Sequence, residues 1–528
     1  MGEHHEVAKS TAVIAALTML SRVLGMLRET VVAMVFGATA VADSYFVAIT
    51  FPFTMQRLMG DGGFTISFVP IFTEELVHKG KDEAMKFAYT AFWCALTLIL
   101  VVTAAGMIFT PWVVRIVAPG FGNVPGKMAI ATRLTRQIFP YTIFVCIVAV
   151  AMGILNSLKH FSMPAFSPLL LSVSVIASVV ILNLHYHFAA NGTSLVIGVL
   201  AGGVLQVAVQ LPTLWRHGFH FKPYLDLKHP GLLRTAKLMG MAIIGVMVYQ
   251  LNVFIGTFFV SDFPGGRSFI YYADRLVDLP QAIFGIALGT AILPSFSRFA
   301  AKQDMHGMGD ALEFGLNFLA FMIIPSVLGL ILFRTPIINL IYQHGNFHSD
   351  ENLSTGLAVL LLSLGVWASA GIRVVVPSYY ALKDARTPVT CSAIAMAVNL
   401  AGCALLTSLP YTRDRLGFAG VCLATAFASV LNFFIHVVML QKKLPRFLDR
   451  RIFLKVGKCL VACIPMVAIS FWLCQKDMWL EPGMLVKKAV WLGAGISVSG
   501  GLYFILAWVL GVEETKKLKD ILLKARNA

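Results

Sequence analysis

The sequence predicts an all-α polytopic membrane protein, and three observations carry that prediction. Of its 528 residues 58% are hydrophobic and only 13% are charged, giving a mean hydropathy of +0.79, well outside the range of soluble domains. Apolar runs of about 20 residues, each enough to cross roughly 30 Å of hydrocarbon as a helix, recur from end to end. Lys and Arg are concentrated in alternate connections, as membrane topology requires. A barrel would need short alternating strands, so helices are the spanning element.

Fourteen spans follow, at 12–36, 43–64, 87–110, 134–157, 165–186, 194–213, 235–260, 270–297, 312–333, 355–381, 388–408, 417–440, 453–474 and 488–511. Pro, Gly and charge interrupt the second, eighth and tenth. With the N-terminus in the cytoplasm, inside connections hold Lys79, Lys81 and Lys86, then Arg216, Lys222, Lys228, Arg234 and Lys237, then Lys442 to Lys458 and the basic tail. Outside connections such as "NLHYHFAANGTS" and "YQHGNFHSDEN" hold neither Lys nor Arg. Both termini are therefore expected in the cytoplasm, and the net charge of +16 reads as topology, with no nucleic-acid partner. The polar opening "MGEHHEVAKS" predicts that the first span is kept, not cleaved as a leader. The eight cysteines lie in or beside spans without metal-ligand spacing and read as small packing residues, so no metal site is expected.

An internal repeat organises the spans. "NSLKHFSMP" at 156–164 and "YALKDARTP" at 380–388 share Leu, Lys and Pro at one constant offset, Leu158 with Leu382, Lys159 with Lys383 and Pro164 with Pro388. Pro70 and Pro294 share that offset, and "GVLAGGVLQV" from Gly198 resembles "GVCLATAFASV" from Gly420 at nearly the same one. A near-constant offset in three places marks a duplication. Six spans separate equivalent points, an even number, so the two units have the same orientation: a parallel repeat of two six-helix lobes, with a binding site expected between them near the midplane. The expected domains are an N-lobe at 1–225, a C-lobe at 226–445, and two extra C-terminal helices with a basic tail at 446–528.

Charge inside the spans is the functional signal. In "SRVLGMLRETVVAMVFG", Arg22 lies about eleven residues into the first span, about 16 Å deep, too far for easy snorkelling. Arg28 sits roughly 120° round the helix from it, and a bend at Gly25 would aim both inward. Asp43, Arg57 and Asp61 occupy the second span, Asp274, Arg275 and Asp278 the eighth, and Arg373 the tenth, while Arg133 and Arg136 stand at the outer mouth of the fourth. Each central charge facing lipid would cost roughly 2.5–3.5 kcal/mol, so these groups line water or each other. Structural ion pairs, such as Arg28 with Glu29 or Asp43, are one reading. The other is a guanidinium cluster from both lobes that binds the oxygens of a phosphate-bearing substrate through paired hydrogen bonds. "FPFTMQRLMGDGGF" puts Pro52, Gly60, Gly62 and Gly63 around Asp61, and "DLPQAIFGIALGT" puts Pro280, Gly285 and Gly289 in the eighth span. Such breaks serve either close packing through small residues or a hinge.

"SRVLGMLRETVVAMVFGA", "ADSYFVAITFPFTMQRLMGDGGFTISFVPIFTE", "YYADRLVDLPQAIFGIALGTAILPS" and "LKDARTP" resemble the MurJ (MviN) family of lipid II flippases, within the multidrug/oligosaccharidyl-lipid/polysaccharide exporter superfamily, and the resemblance runs from Ala8 to about residue 515. It implies a fourteen-helix protein of the bacterial inner membrane that moves undecaprenyl-diphosphate-linked disaccharide pentapeptide to the periplasmic leaflet for peptidoglycan synthesis. Its partners would be that lipid, the membrane lipids, and other cell-wall synthesis proteins. The family's essential cavity arginines match Arg22, Arg28 and Arg275, and its aspartate between the first two spans matches Asp43. Where relatives carry two adjacent arginines this chain has Gln56 and Arg57, and a Lys of some relatives is Arg373. The last two helices would form a groove for the lipid tail. The carboxylates of the sodium site of some relatives are absent from the seventh and eleventh spans, which offer only Asn252 and Asn399.

The expected mechanism is alternating access without a cofactor, coupled to the membrane potential at about 2.3 kcal/mol per charge per 100 mV. No Walker loop, H-E-x-x-H pair or G-x-S-x-G elbow occurs in the sequence, which argues against an enzyme. A drug/cation antiporter of the same superfamily would want acidic cavity walls. A flippase for another polyprenyl-diphosphate oligosaccharide shares the diphosphate, and only the family motifs separate it.

Overall fold

Hydrocarbon offers the backbone no hydrogen-bond partner, and an apolar chain answers by pairing each N–H with a carbonyl one turn away. The computed structural model describes residues 2–186, 191–444, 450–475, 477–481 and 483–516, with backbone alone at 2–15, 61–62, 184–186, 241–242, 244, 450–451 and 477; the described residues are helical and contain no strand.

In chain order the helices are α1 (Gly2–Phe36), α2 (Ala40–Gln56), a π-helical turn (Arg57–Gly62), α3 (Phe64–His78), α4 (Lys81–Ile108), α5 (Thr110–Val117), a 3₁₀ turn (Pro119–Asn123), α6 (Lys127–Ile138), α7 (Tyr141–Ser157), α8 (Ser162–Tyr186), α9 (Thr193–Arg216) and α10 (Pro230–Val260). Then come α11 (Gly266–Pro280), a second π-helical turn (Gln281–Ile286), α12 (Ala287–Ala301), α13 (Met305–Leu332), α14 (Arg334–Ile341), α15 (Ser349–Ala381), α16 (Arg386–Ser408), α17 (Pro410–Leu416), α18 (Ala419–Gln441), α19 (Arg450–Ala462), α20 (Ile464–Cys474) and α21 (Leu485–Val509).

The repeat is plain in these bounds. α4 recurs as α13, α5 as α14, and the first π turn as the second, each displaced by the offset that relates Leu158 to Leu382. Lys159 and Lys383, equivalent in that register, both adopt the left-handed conformation, with φ of 62° and 58°. The second span, expected to break at its Pro and glycines, instead stays helical through the first π turn. Pro52 is buried inside α2, while Pro280 ends α11 directly before the second π turn. A π turn widens the ladder by one residue and so absorbs a distortion that would otherwise end the helix.

Among the described residues eleven helices are long and apolar enough to cross a membrane alone, twelve if the pair Pro230–Gly240 and Gly245–Val260, bent by 46°, forms one span. The fourteen expected spans exceed that count by the first two. Both segments are helical, but α1 begins in residues described by backbone alone, and α2 is 17 residues long before the π turn interrupts it.

Two compact units divide after Ser268: Met1–Ser268 and Phe269–Ala528. In the first, α1 packs along α8, α8 along α9, and α3 against α7. Small residues set the approach of α8 and α9, since a Cβ at Gly198 would lie 2.7 Å from the Val175 Cα. A spine of stacked rings, Phe64, Phe68, Phe72 and Phe87 with His229, runs through this unit at centroid spacings of 4.9–5.4 Å, each contact adding about 0.5–1.5 kcal/mol beyond simple burial. α10 opens the second repeat in sequence, yet it packs on α3 and α4 and belongs to the first unit, so the packing boundary falls after α10 and the sequence boundary before it. In the second unit α15 packs on α18 and α18 on α16, while α19, α20 and α21 lie against α13 and α14.

Candidate functional site

Among the described residues, some membrane-depth charges have a partner and others, such as Arg22 and Arg373, make no hydrogen bond or ion pair. In the first unit, α1 runs unbroken through Gly25, which has nothing within 4 Å of a Cβ position. It presents Arg22 on an exposed face and Arg28 on a buried one. Among the described residues Arg22 makes no hydrogen bond or ion pair. Arg28, 9% exposed, donates through Nη2 and Nε to Glu29 Oε1, at 2.5 and 3.2 Å. Of the two readings of Arg28, substrate cavity or structural ion pair, this geometry supports the second: a buried pair, formed because an unpaired buried charge costs several kcal/mol. Arg57, half-buried at the start of the π turn, donates from Nη1 to Gln250 Oε1 at 3.0 Å and lies 4.9 Å from the Tyr249 ring centre. Gln250 in turn donates to Thr54 Oγ1 at 2.6 Å. These partners are neutral, so the charge of Arg57 is oriented but not cancelled. Asp61 and Gly62 belong to the same turn, and their surroundings lie outside the described residues. Gly63 closes it where a Cβ would meet the Leu58 carbonyl oxygen at 2.1 Å.

Asp43 also departs from its expected place in a headgroup cavity. It is fully buried and pairs with Lys127 Nζ at 2.6 Å. It further accepts the Gly265 N–H at 3.0 Å, the Ser268 N–H at 2.8 Å and the Ser268 hydroxyl at 2.6 Å. Four donors occupy a carboxylate with four acceptor positions, which makes it a structural node of the first unit, tying α2 and α6 to the turn at 261–268. Arg133 and Arg136 likewise cap backbone, donating to the Asn191 and Met107 carbonyls at 2.6 and 3.0 Å.

In the second unit Arg275 is half-buried on α11, 4.7 Å from the Tyr271 ring centre, a geometry worth about 0.5–2 kcal/mol. Asp274 beside it is half-buried and Asp278 exposed. Arg373 is exposed on α15 and makes no hydrogen bond or ion pair among the described residues. The backbone there touches the π turn and α12: a Cβ on Gly289 would lie 2.4 Å from the Arg373 carbonyl oxygen, and one on Gly285 3.3 Å from Arg373 Cδ. Of the two readings of these glycines, close packing is what the geometry supports.

The family model for lipid II flippase MurJ matches residues 32–490. The chain belongs to the MurJ family. Among its relatives, "Lipid II flippase MurJ" of Burkholderia cenocepacia is 32% identical over 512 residues, covering 94% of this chain and 96% of the relative. "Probable lipid II flippase MurJ" of Vibrio cholerae serotype O1 is 30% identical over 522 residues, 97% of each. A solved structure titled "Lipid II flippase MurJ, inward closed conformation" has the same fold at a TM-score of 0.76 and 24% identity, covering 94% of this chain and 98% of that one. An inward-facing multidrug resistance MATE family transporter of the MOP superfamily shares the fold at 0.66 and 11% identity, over 82% and 97%.

Within this MurJ-family chain the sequence reading missed Tyr249, Gln250, Tyr271 and Lys127. The first three carry no charge. Lys127 had a signal: a lysine in a connection that the charge pattern assigns to the outside, where lysines are otherwise scarce.

Proposed function

We propose that the protein is a lipid II flippase of the bacterial inner membrane, with both termini in the cytoplasm, exporting the undecaprenyl-diphosphate-linked peptidoglycan precursor by alternating access. The observation that carries this is the pair Arg22 and Arg373: guanidinium groups in the interior of membrane helices, exposed and without a protein partner among the described residues. Such groups are tolerated where water or an anion replaces lipid, and a diphosphate matches their paired donors. Arg57 in the first unit, oriented by Gln250 and Tyr249, and Arg275 in the second, beside Tyr271, are further candidates for contact with phosphate oxygens. Arg28 and Asp43 act structurally. The inside-negative potential favours export of the anionic headgroup and return of the empty cationic protein, by about 2.3 kcal/mol per charge per 100 mV, with no cofactor. The apolar faces of α20 and α21, including Val467, Phe471, Trp472 and Val490, suit the polyprenyl tail.

Purified protein in vesicles loaded with labelled lipid II tests this. The expected result is a change in leaflet accessibility with the lipid chemically unchanged, lost at least tenfold in Arg22→Ala or Arg373→Ala that still inserts. A cleaved or polymerised product would replace the reading with an enzyme; equal movement of other polyprenyl-diphosphate sugars would widen the substrate.

A further inference from the structure

Lys127 opens α6 and is 1% exposed, a rare place for an ammonium group. Its Nζ lies 2.6 Å from Asp43 Oδ2 and 4.1 Å from the centre of the Phe121 ring. The same Oδ2 accepts the Gly265 N–H, while Oδ1 accepts both donors of Ser268. The turn between α10 and α11, together with the first residues of α11, is held a second time by Gly120 N–H on Ser261 Oγ at 3.0 Å and by Arg267 Nη2 on Thr50 Oγ1 at 3.1 Å. Asp43 is thus gripped from two sides, by a fixed ammonium on its own side and by a turn that docks onto it. In the register of the repeat, Arg267 and Glu351 are the residues equivalent to Asp43 and Lys127, so each repeat carries one acid and one base at these positions with the signs exchanged.

A carboxylate that holds a turn by three hydrogen bonds is hard to release, because release strands the charge. A resident ammonium removes that obstacle: Asp43 keeps a charged partner whether the turn is docked or gone. We propose that Lys127 is a positioning residue for transport, acting through Asp43 to make the docking of the 261–268 turn reversible. It touches no lipid II in this role. The inference rests on the transporter reading, but its test does not use the substrate and so fails or succeeds separately.

The test is hydrogen exchange, read by mass spectrometry on the full chain in nanodiscs, of the Gly265 and Ser268 amides. Lys127→Met and Lys127→Gln should slow exchange there at least tenfold, since the unreleased turn becomes the partner of an otherwise stranded carboxylate. Lys127→Arg should stay within about twofold of wild type. Adding Asp43→Asn to Lys127→Met, which removes the stranded charge and protects against a folding failure of the single variant, should make exchange faster than wild type. If Lys127 were only structural glue, Lys127→Met or Lys127→Gln would exchange as fast as wild type or faster, and that result overturns the proposal.

Discussion

At the residue scale, burial and partnership separate the charges that hold the protein together from those left exposed. Arg28 and Arg22 share one helix, yet one is buried against Glu29 and the other is exposed without a partner among the described residues. In the local sequence both are arginines in an apolar run, and a neighbouring carboxylate makes a pair for Arg28 only one of two readings. Glu29 follows Arg28 directly, and adjacent residues on a helix normally point apart, so their pairing needed the tertiary surroundings that bury both. Glu29→Ala should therefore destabilise the protein by about 3–5 kcal/mol by stripping a buried guanidinium of this carboxylate, and adding Arg28→Met should recover much of the loss. Thermal unfolding in detergent measures both, and an additive double variant would contradict the pairing.

At the scale of elements, the two π turns and the equivalent loops after α7 and α15 show how a duplicated sequence keeps a shape while changing its chemistry. In the second unit Asp384 caps α16 by accepting the Arg386 and Thr387 N–H groups, each at 3.1 Å, and pairs with Lys443 on the end beyond α18. The equivalent residue of the first unit is His160, whose ring lies 4.0 Å from that of His217. Burial pushes the Asp384 carboxyl up, but its bonds from Lys443 and Thr387 outweigh that and hold it well below the usual carboxylate range. A carboxyl whose folded pKa is depressed stabilises the fold above its unfolded pKa of about 4, and loses that contribution only as pH falls through the lower folded value. Asp384→Asn should consequently lower the melting temperature by the same amount from pH 5 to 8, with the difference closing only in stronger acid. A gap that instead varied between pH 6 and 8 would contradict the pair. For His160, burial and then the neighbouring His217 lower the pKa, and the first-unit loop sets two imidazole rings against each other where the second uses an ion pair.

At the scale of the whole molecule, spans and repeat were legible because hydropathy and periodicity are properties of composition over tens of residues, insensitive to packing detail. The register read from "LKHFSMP" and "LKDARTP" reappears in α4 and α13, α5 and α14, and both π turns. The lateral placement of α10 was not legible. Its sequence opens the second repeat, but it packs on α3, and a bidentate pair from Arg234 to Glu74, at 2.9 and 2.8 Å, joins those two helices at the end rich in basic residues. The charge pattern assigns that end to the cytoplasm. A reactive cysteine placed at Lys228 should be labelled by an impermeant reagent in inside-out vesicles and protected in intact cells, and the opposite result would invert the topology.

Sequence by itself determined that this chain spans the membrane many times and that its long apolar runs carry arginines. Each follows from free energies of transfer, which depend on what a residue is. Only the tertiary structure decided that Arg28 is bound to Glu29, that Asp43 is closed off by Lys127 and by a turn distant in sequence, and that Arg22 and Arg373 have no such partner among the described residues. Those outcomes depend on which residue stands within about 3 Å of which, and hydropathy and spacing carry no record of that distance.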